Sequence, residues 1–250
     1  MEIIHPKLLI LFRPFLVCLL LSLSVLTFLL FFPSPFVQER PELSVTNLTG
    51  AGIRIRPGYT SYESYIERQL NKTLNPKLRQ IWKTRDWDRK VRRFAIFFES
   101  LRDRGFLSNS SKALSIGARV GQEVAALQRI GVADSIGIDL VPSPPLVIQG
   151  DFHSQPFPNN TFDFEFSNVF DHALYPNRFV GEIERTLRPG GICVLHVALK
   201  HRADKYSAND LFSVDPLVRL FKSSDLMAVQ RVDGFGLDTE IIFKKSSSDA

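Results

Sequence analysis

Cysteine is nearly missing from this 250-residue chain: there are two, Cys18 and Cys193. Cys18 lies in a long apolar run near the N-terminus and Cys193 in a short apolar strand pattern. The two cannot pair, so no disulfide framework is available. Histidine is sparse as well, five in all, and no His, Cys, Asp and Glu spacing matches a metal site. The chain has no Ser-His-Asp arrangement, no G-x-x-x-x-G-K-[ST] phosphate loop and no internal repeat. The formal charge is a modest +5. Clusters such as KTRDWDRKVRR carry acids among the bases, which reads as a solvated helix face rather than a nucleic-acid groove. These absences set aside disulfide scaffolds, metalloproteins, P-loop NTPases and nucleic-acid binders.

What the chain does have begins with an apolar N-terminal run. FLVCLLLSLSVLTFLLFF, Phe15 to Phe32, carries no charge. A bilayer core of roughly 30 Å needs about 20 apolar residues in a helix, so the run predicts a membrane span. A cleaved signal peptide is the competitor, but its apolar stretch is shorter and ends in small residues. Lys7 and Arg13 precede the run, and Glu39, Arg40 and Glu42 follow it. That asymmetry predicts a cytosolic N-terminus, a single-pass type II anchor and a lumenal body. Four glycosylation sequons, at Asn47, Asn71, Asn109 and Asn159, agree with a Golgi-type endomembrane location.

The chain divides into a tip and anchor over 1–33, a Pro- and Ser-rich stem over 34–58, a helical extension over 59–110, an α/β domain over 111–245 and a loose tail over 246–250. In the extension, Val91, Phe94, Phe97, Phe98 and Leu101 form one helical stripe, which predicts a packing surface, and Gly105 is the stop. From Lys112 onward strands and helices alternate. KALSIG, DSIGIDL, PLVIQGD, TFDFEFSN and GICVLHVAL read as strands, and GQEVAALQRIG and NRFVGEIERTL as helices. That alternation predicts a doubly wound, mostly parallel sheet covered on both faces.

In such sheets ligands bind beyond the carboxyl ends of the strands, where strand order reverses. The loop after the first strand is GARVGQEV. Gly117 permits a sharp turn and Gly121 a close helix start. Asp139, at the end of the second strand, is placed to accept hydrogen bonds from ribose hydroxyls. The loop is not a dinucleotide signature, because Arg119 and Gln122 stand where glycines would be required.

The next segment, GDFHSQPFPNNTFDFEFSNVFDH followed by EIERTLRPGG, is more specific. Gly150-Asp151, Pro156-Phe157-Pro158 to Phe162-Asp163, His172, and Glu184-Arg185 to Leu187-Arg188-Pro189-Gly190-Gly191 follow one another in a set order. In that order they resemble the class I S-adenosylmethionine-dependent methyltransferases of the type 11 group, and the anchored arrangement resembles plant endomembrane proteins of that group. The resemblance implies a seven-stranded Rossmann-like methyltransferase fold and S-adenosylmethionine as cofactor. It implies that Gly117 and Gly121 line the methionine end, Asp139 holds the ribose, Asp151 with Phe152 meets the adenine, and Asn168 lies near the methyl group.

The departure is Arg119, where the group's loop has its middle glycine. Its guanidinium can pair with the cofactor's amino-acid carboxylate, or its side chain can fill the space and leave a shell without activity. For a hydroxyl acceptor, FDHALY offers His172 as base with Asp171 beside it; a packed loop histidine is the alternative. The expectation is methyl transfer to a glycan or small metabolite, with neither metal nor nucleic acid. A catalytically inactive scaffold is the alternative.

Overall fold

The structure, a computed structural model, describes residues 52–199 and 204–247. The apolar run from Phe15 to Phe32, Cys18, most of the stem, Asn47 and His201 lie outside the described residues. Among the described residues no helix is long and apolar enough to cross a membrane.

The extension forms three helices: α1 (Tyr62–Thr73), α2 (Pro76–Lys83) and α3 (Trp87–Asp103). Each starts where local chemistry dictates. Ser61 and Ser64 make a reciprocal capping box for α1, and Asn75 caps α2 with Pro76 in its first turn. On α3 the predicted stripe is buried as expected, and Gly105 follows it at φ +76°.

The α/β domain then runs β2 (Ala113–Ile116), α4 (Gln122–Arg129), β3 (Ser135–Asp139), β4 (Val147–Gln149), β5 (Phe162–Ser167), α5 (Pro176–Thr186) and β6 (Leu187–Val197). It closes with α6 (Asp215–Val218), β8 (Ser224–Arg231) and β9 (Thr239–Lys245). Two short strands, β1 (Ile53–Ile55) and β7 (Asn209–Leu211), pair as a separate ribbon held by Asp210 between Arg54 and Arg56. The main sheet has seven strands in the order β4-β3-β2-β5-β6-β9-β8. All run parallel except β9, which is antiparallel to both its neighbours. This is the doubly wound, mostly parallel sheet that the sequence predicts.

Both faces are covered, which explains why the strands read as nearly continuous apolar runs. Along β6, Ile192 and Val194 pack toward α3 and α4 with Phe94, Leu127, Phe164 and Phe166. Cys193, Leu195 and Val197 point the other way, among Phe179, Ile183 and Phe243. The period-2 alternation of a strand therefore assigns successive residues to two cores.

Arg188-Pro189-Gly190-Gly191 carries the proline and glycines that end a helix and swing the chain into the next strand. In the structure α5 ends at Thr186 and β6 begins at once, with this tetrapeptide inside the strand as an irregularity. Leu187 pairs with Phe162 and Ile192 with Phe164, so the extra residues bulge between two registers, with Gly190 at φ +78°.

Candidate functional site

The chain travels outward from β2 to β3 and β4, then returns to the other side of β2 as β5. The carboxyl ends of β2 and β5 therefore flank the reversal point, and a cavity of about 150 Å³ opens there. Seven of the residues expected from sequence line it: Gly117, Arg119, Asp139, Asp151, Phe152, Asn168 and His172.

Gly117 follows β2 at φ +73°, and a Cβ there would lie 2.4 Å from Val169 Cγ2. The position is closed to any side chain, so bare backbone faces the cavity. Arg119 also has positive φ, +50°, a conformation that costs a non-glycine residue roughly 1–2 kcal/mol. Its amide N–H donates to Asp139 Oδ2 at 2.9 Å. Its guanidinium lies over the indole of Trp82 on α2, 5.2 Å from the ring centroid. Gly121 caps α4 at φ +92°, where a Cβ would meet Leu146 Cβ at 2.6 Å. It is outside the cavity lining and serves close helix packing.

Asp139 is buried, and its Oδ1 accepts from the Val141 N–H at 3.3 Å. Burial raises its pKa, against the lowering effect of the Arg119 and Val141 amides. Asp151, after β4, accepts from the Tyr62 hydroxyl and from the His153 N–H at 2.9 Å. Burial pushes this carboxyl up, but its contacts with His153 and Tyr62 outweigh that and hold it below the ordinary range. Tyr175 N–H donates to His153 Nε2 at 3.2 Å, so Nδ1 carries the proton and donates to the Tyr62 oxygen at 2.8 Å. Phe152 packs edge-on against Phe179 with centroids 5.2 Å apart. Asn168, just past β5, donates to Glu123 Oε1 at 3.3 Å.

His172 ends a 3-10 turn, Phe170–His172. Gln69 gives its amide N–H to the Tyr206 carbonyl at 2.8 Å, which leaves its Oε1 as acceptor for His172 Nδ1–H at 2.9 Å. His172 Nε2 then accepts from Lys72 Nζ at 3.3 Å, and Lys72 also pairs with Asp204 at 2.9 Å. Both ring nitrogens are therefore engaged by α1. Asp171 stands outside the cavity lining; it accepts from the Ser207 hydroxyl at 2.5 Å, and its carboxylate is 4.0 Å from His172.

The remaining lining was not legible as a site. Apart from Leu140 and Val169, which neighbour expected residues, it comes from α1 (Tyr65, Gln69, Lys72 and Thr73), from Lys90 on α3, and from Gly234, Phe235 and Leu237 between β8 and β9. Lys90 corrects the reading of KTRDWDRKVRR as a wholly solvated face, because it is buried. The available signal was spacing: Lys90 stands four residues before Phe94, on the apolar stripe of α3.

These residues fit S-adenosylmethionine. Each oxygen of Asp139 accepts one backbone amide, so lone pairs remain for ribose hydroxyls on a carboxylate with about four acceptor positions. The cavity also offers bare backbone at Gly117 and charges of both signs.

Residues 114–195 match the family model described as methyltransferase domain. No curated protein matches the chain in sequence. Among solved structures, 1,6-didemethyltoxoflavin-N1-methyltransferase from Burkholderia thailandensis superposes with a TM-score of 0.57 at 16% identity, over 78% of this chain and 95% of that one. A putative sarcosine dimethylglycine methyltransferase from Galdieria sulphuraria gives 0.50 at 16% identity, over 63% and 86%. The [4+2]-cyclase SpnF also gives 0.50, at 14% identity over 62% and 81%. At such identities the likeness is one of fold, and the cyclase shows that the fold alone does not fix the reaction.

Proposed function

We propose that the chain, whose residues 114–195 match the methyltransferase-domain model, is a class I S-adenosylmethionine-dependent methyltransferase of the type 11 group whose cavity handles cofactor and acceptor as follows. The observation that carries the reading is the row formed along one sheet edge by Asp151, Asp139, Gly117 and Asn168, in the spatial order β4, β3, β2, β5. The bound cofactor supplies an electrophilic methyl group on sulfonium. Asp139 takes the ribose hydroxyls and Asp151 the adenine amine, each held in place by the amides it already accepts. Bare backbone at Gly117 lets the methionine chain pass, and Asn168 stands beside the reacting end. The helices α1 and α3 roof the cavity and exclude water, which strengthens every charge interaction inside. His172 accepts an acceptor proton only when Lys72 withdraws from its Nε2, so that proton transfer is gated by α1.

Titration calorimetry with S-adenosylhomocysteine is the direct test. Wild type is expected to bind, and Asp139→Ala to lose at least about tenfold in affinity. Absence of binding heat in wild type would overturn the reading.

The finer reading is a type II, Golgi-type anchored enzyme acting on a lumenal glycan or small metabolite. Its support is the uncharged Phe15–Phe32 run with basic residues before it, and the exposed side chains of Asn71, Asn109 and Asn159. Asn109 and Asn159 precede β2 and β5, at the sheet edge opposite the cavity, so glycans there leave the cavity open. A mobility shift on endoglycosidase treatment is expected; no shift would count against a lumenal body.

A scaffold without activity is the second reading, favoured by Arg119 stacked on Trp82 and by Tyr62 already bonded to Asp151. It requires that wild type bind no S-adenosylhomocysteine and that Asp139→Ala change stability alone.

A further inference from the structure

Lys90 is 8% exposed and lines the cavity. Its ammonium lies 5.2 Å from the centroid of the Phe235 ring. Among the described residues no hydrogen-bond acceptor or carboxylate is within bonding reach of it. The groups around it explain why. Glu123 attracts it through space; its Oε1 takes the Asn168 amide, and its Oε2 has no partner among the described residues, Lys90 included. Asp86 pairs with Arg85 at 3.3 Å and Arg89 at 3.4 Å. Arg119 and Arg89 repel it. A largely buried side chain whose ammonium finds no protein partner for its three donors is costly, and an apolar residue on this stripe would avoid that cost.

We propose that Lys90 is the seat of a carboxylate bound in this cavity, with the Arg119 guanidinium as a second cation. A carboxylate there takes the unspent N–H donors in charge-assisted hydrogen bonds and neutralises the repulsion between the two cations. Burial, with the Arg119 charge next, holds the Lys90 ammonium down to about pKa 8, and the charge of an anion beside it would act against that lowering. Two molecules can bring this group, and naming them rests on the methyl-transfer reading: the cofactor, through its amino-acid carboxylate, or an acceptor that is itself a carboxylic acid.

The full-length protein in detergent, with Lys90→Met and Lys90→Arg, separates the outcomes by calorimetry. The probes are S-adenosylhomocysteine, 5′-methylthioadenosine (the same nucleoside without the amino-acid carboxylate) and malonate. If the carboxylate is the cofactor's, Lys90→Met weakens S-adenosylhomocysteine by about tenfold or more and leaves methylthioadenosine within about twofold. If it is the acceptor's, S-adenosylhomocysteine is unaffected, and malonate binds the loaded wild type but not loaded Lys90→Met. Lys90→Arg retains most of the affinity in either case, which separates loss of charge from loss of fold. The assignment is overturned if Lys90→Met binds all three probes as wild type does. Should wild type bind neither nucleoside, the methyl-transfer reading fails, and Lys90 is judged by malonate alone: binding to wild type and not to Lys90→Met upholds it, and any other result overturns it.

Discussion

Lys90 and Glu165 invite comparison, because each is a buried ionisable side chain with unmet hydrogen-bonding capacity and each titrates near pH 8. Glu165 sits on β5 with no exposed surface; Oε1 accepts from Thr186 Oγ1 at 2.6 Å, and Oε2 has no partner among the described residues. Burial lifts its pKa far more than the Thr186 hydrogen bond lowers it. Glu165 is sealed in the sheet interior, outside the cavity lining, whereas Lys90 forms part of the cavity wall. An unmet polar group in a closed interior is a cost of the fold. The same feature on the wall of a cavity marks a place for a ligand.

The pH dependence of stability gives the largest effect with which to break this comparison. A buried Glu165 near pKa 8, against an ordinary value of 4.5, binds its proton more tightly folded than unfolded. Stability therefore falls as pH rises from about 4.5 to about 8 and then levels. Glu165→Gln should flatten that slope and be more stable above pH 8, by an amount on the order of a few kcal/mol, without altering nucleoside affinity. Urea midpoints at several pH values measure it.

Lys90 has the opposite sign. Its pKa is depressed from 10.5 to about 8, so its contribution to stability increases as pH rises between those values and is lost as pH falls through 8. Lys90→Met should remove a rise of roughly 1–3 kcal/mol across that window. In wild type a bound carboxylate should suppress the same rise while leaving the Glu165 slope intact.

The smallest effect concerns Asp151, a half-buried acid whose partners are in place. Tyr62→Phe removes one donor from it, at a cost of about 1 kcal/mol in stability. Because Tyr62 helps hold that carboxyl low, the acid limb of S-adenosylhomocysteine binding should move to higher pH. An unmoved acid limb would mean that Tyr62 does not set the state of Asp151.

Half of this site could be read from the chain because its signals are local. A short apolar run ending in glycine or aspartate marks a strand and its carboxyl end in one window, which locates Gly117, Asp139, Asp151 and Asn168. The stripe on α3 was equally plain, since its period is intrinsic to the helix. Lys90, Gln69 and Lys72 were not legible, because their burial depends on segments far away in sequence: the start of α4, the loop 232–238 and the turn 170–172. The same holds for Asp171, whose orientation is set by Ser207, and for Gly121, whose need for no side chain is set by Leu146. Arg119 was visible as an anomaly. Neither alternative named Trp82, because the contact joins residues 37 positions apart.

That contact has a structural consequence. One residue ties three parts of the molecule: its amide to the carboxylate that closes β3, its backbone to the turn after β2, and its side chain to the indole of α2. Between α2 and Asp139 the path runs through this one residue, first its side chain and then its amide. The helical extension and the carboxyl end of β3 therefore share one residue, and the bulky cation in the turn is where they meet.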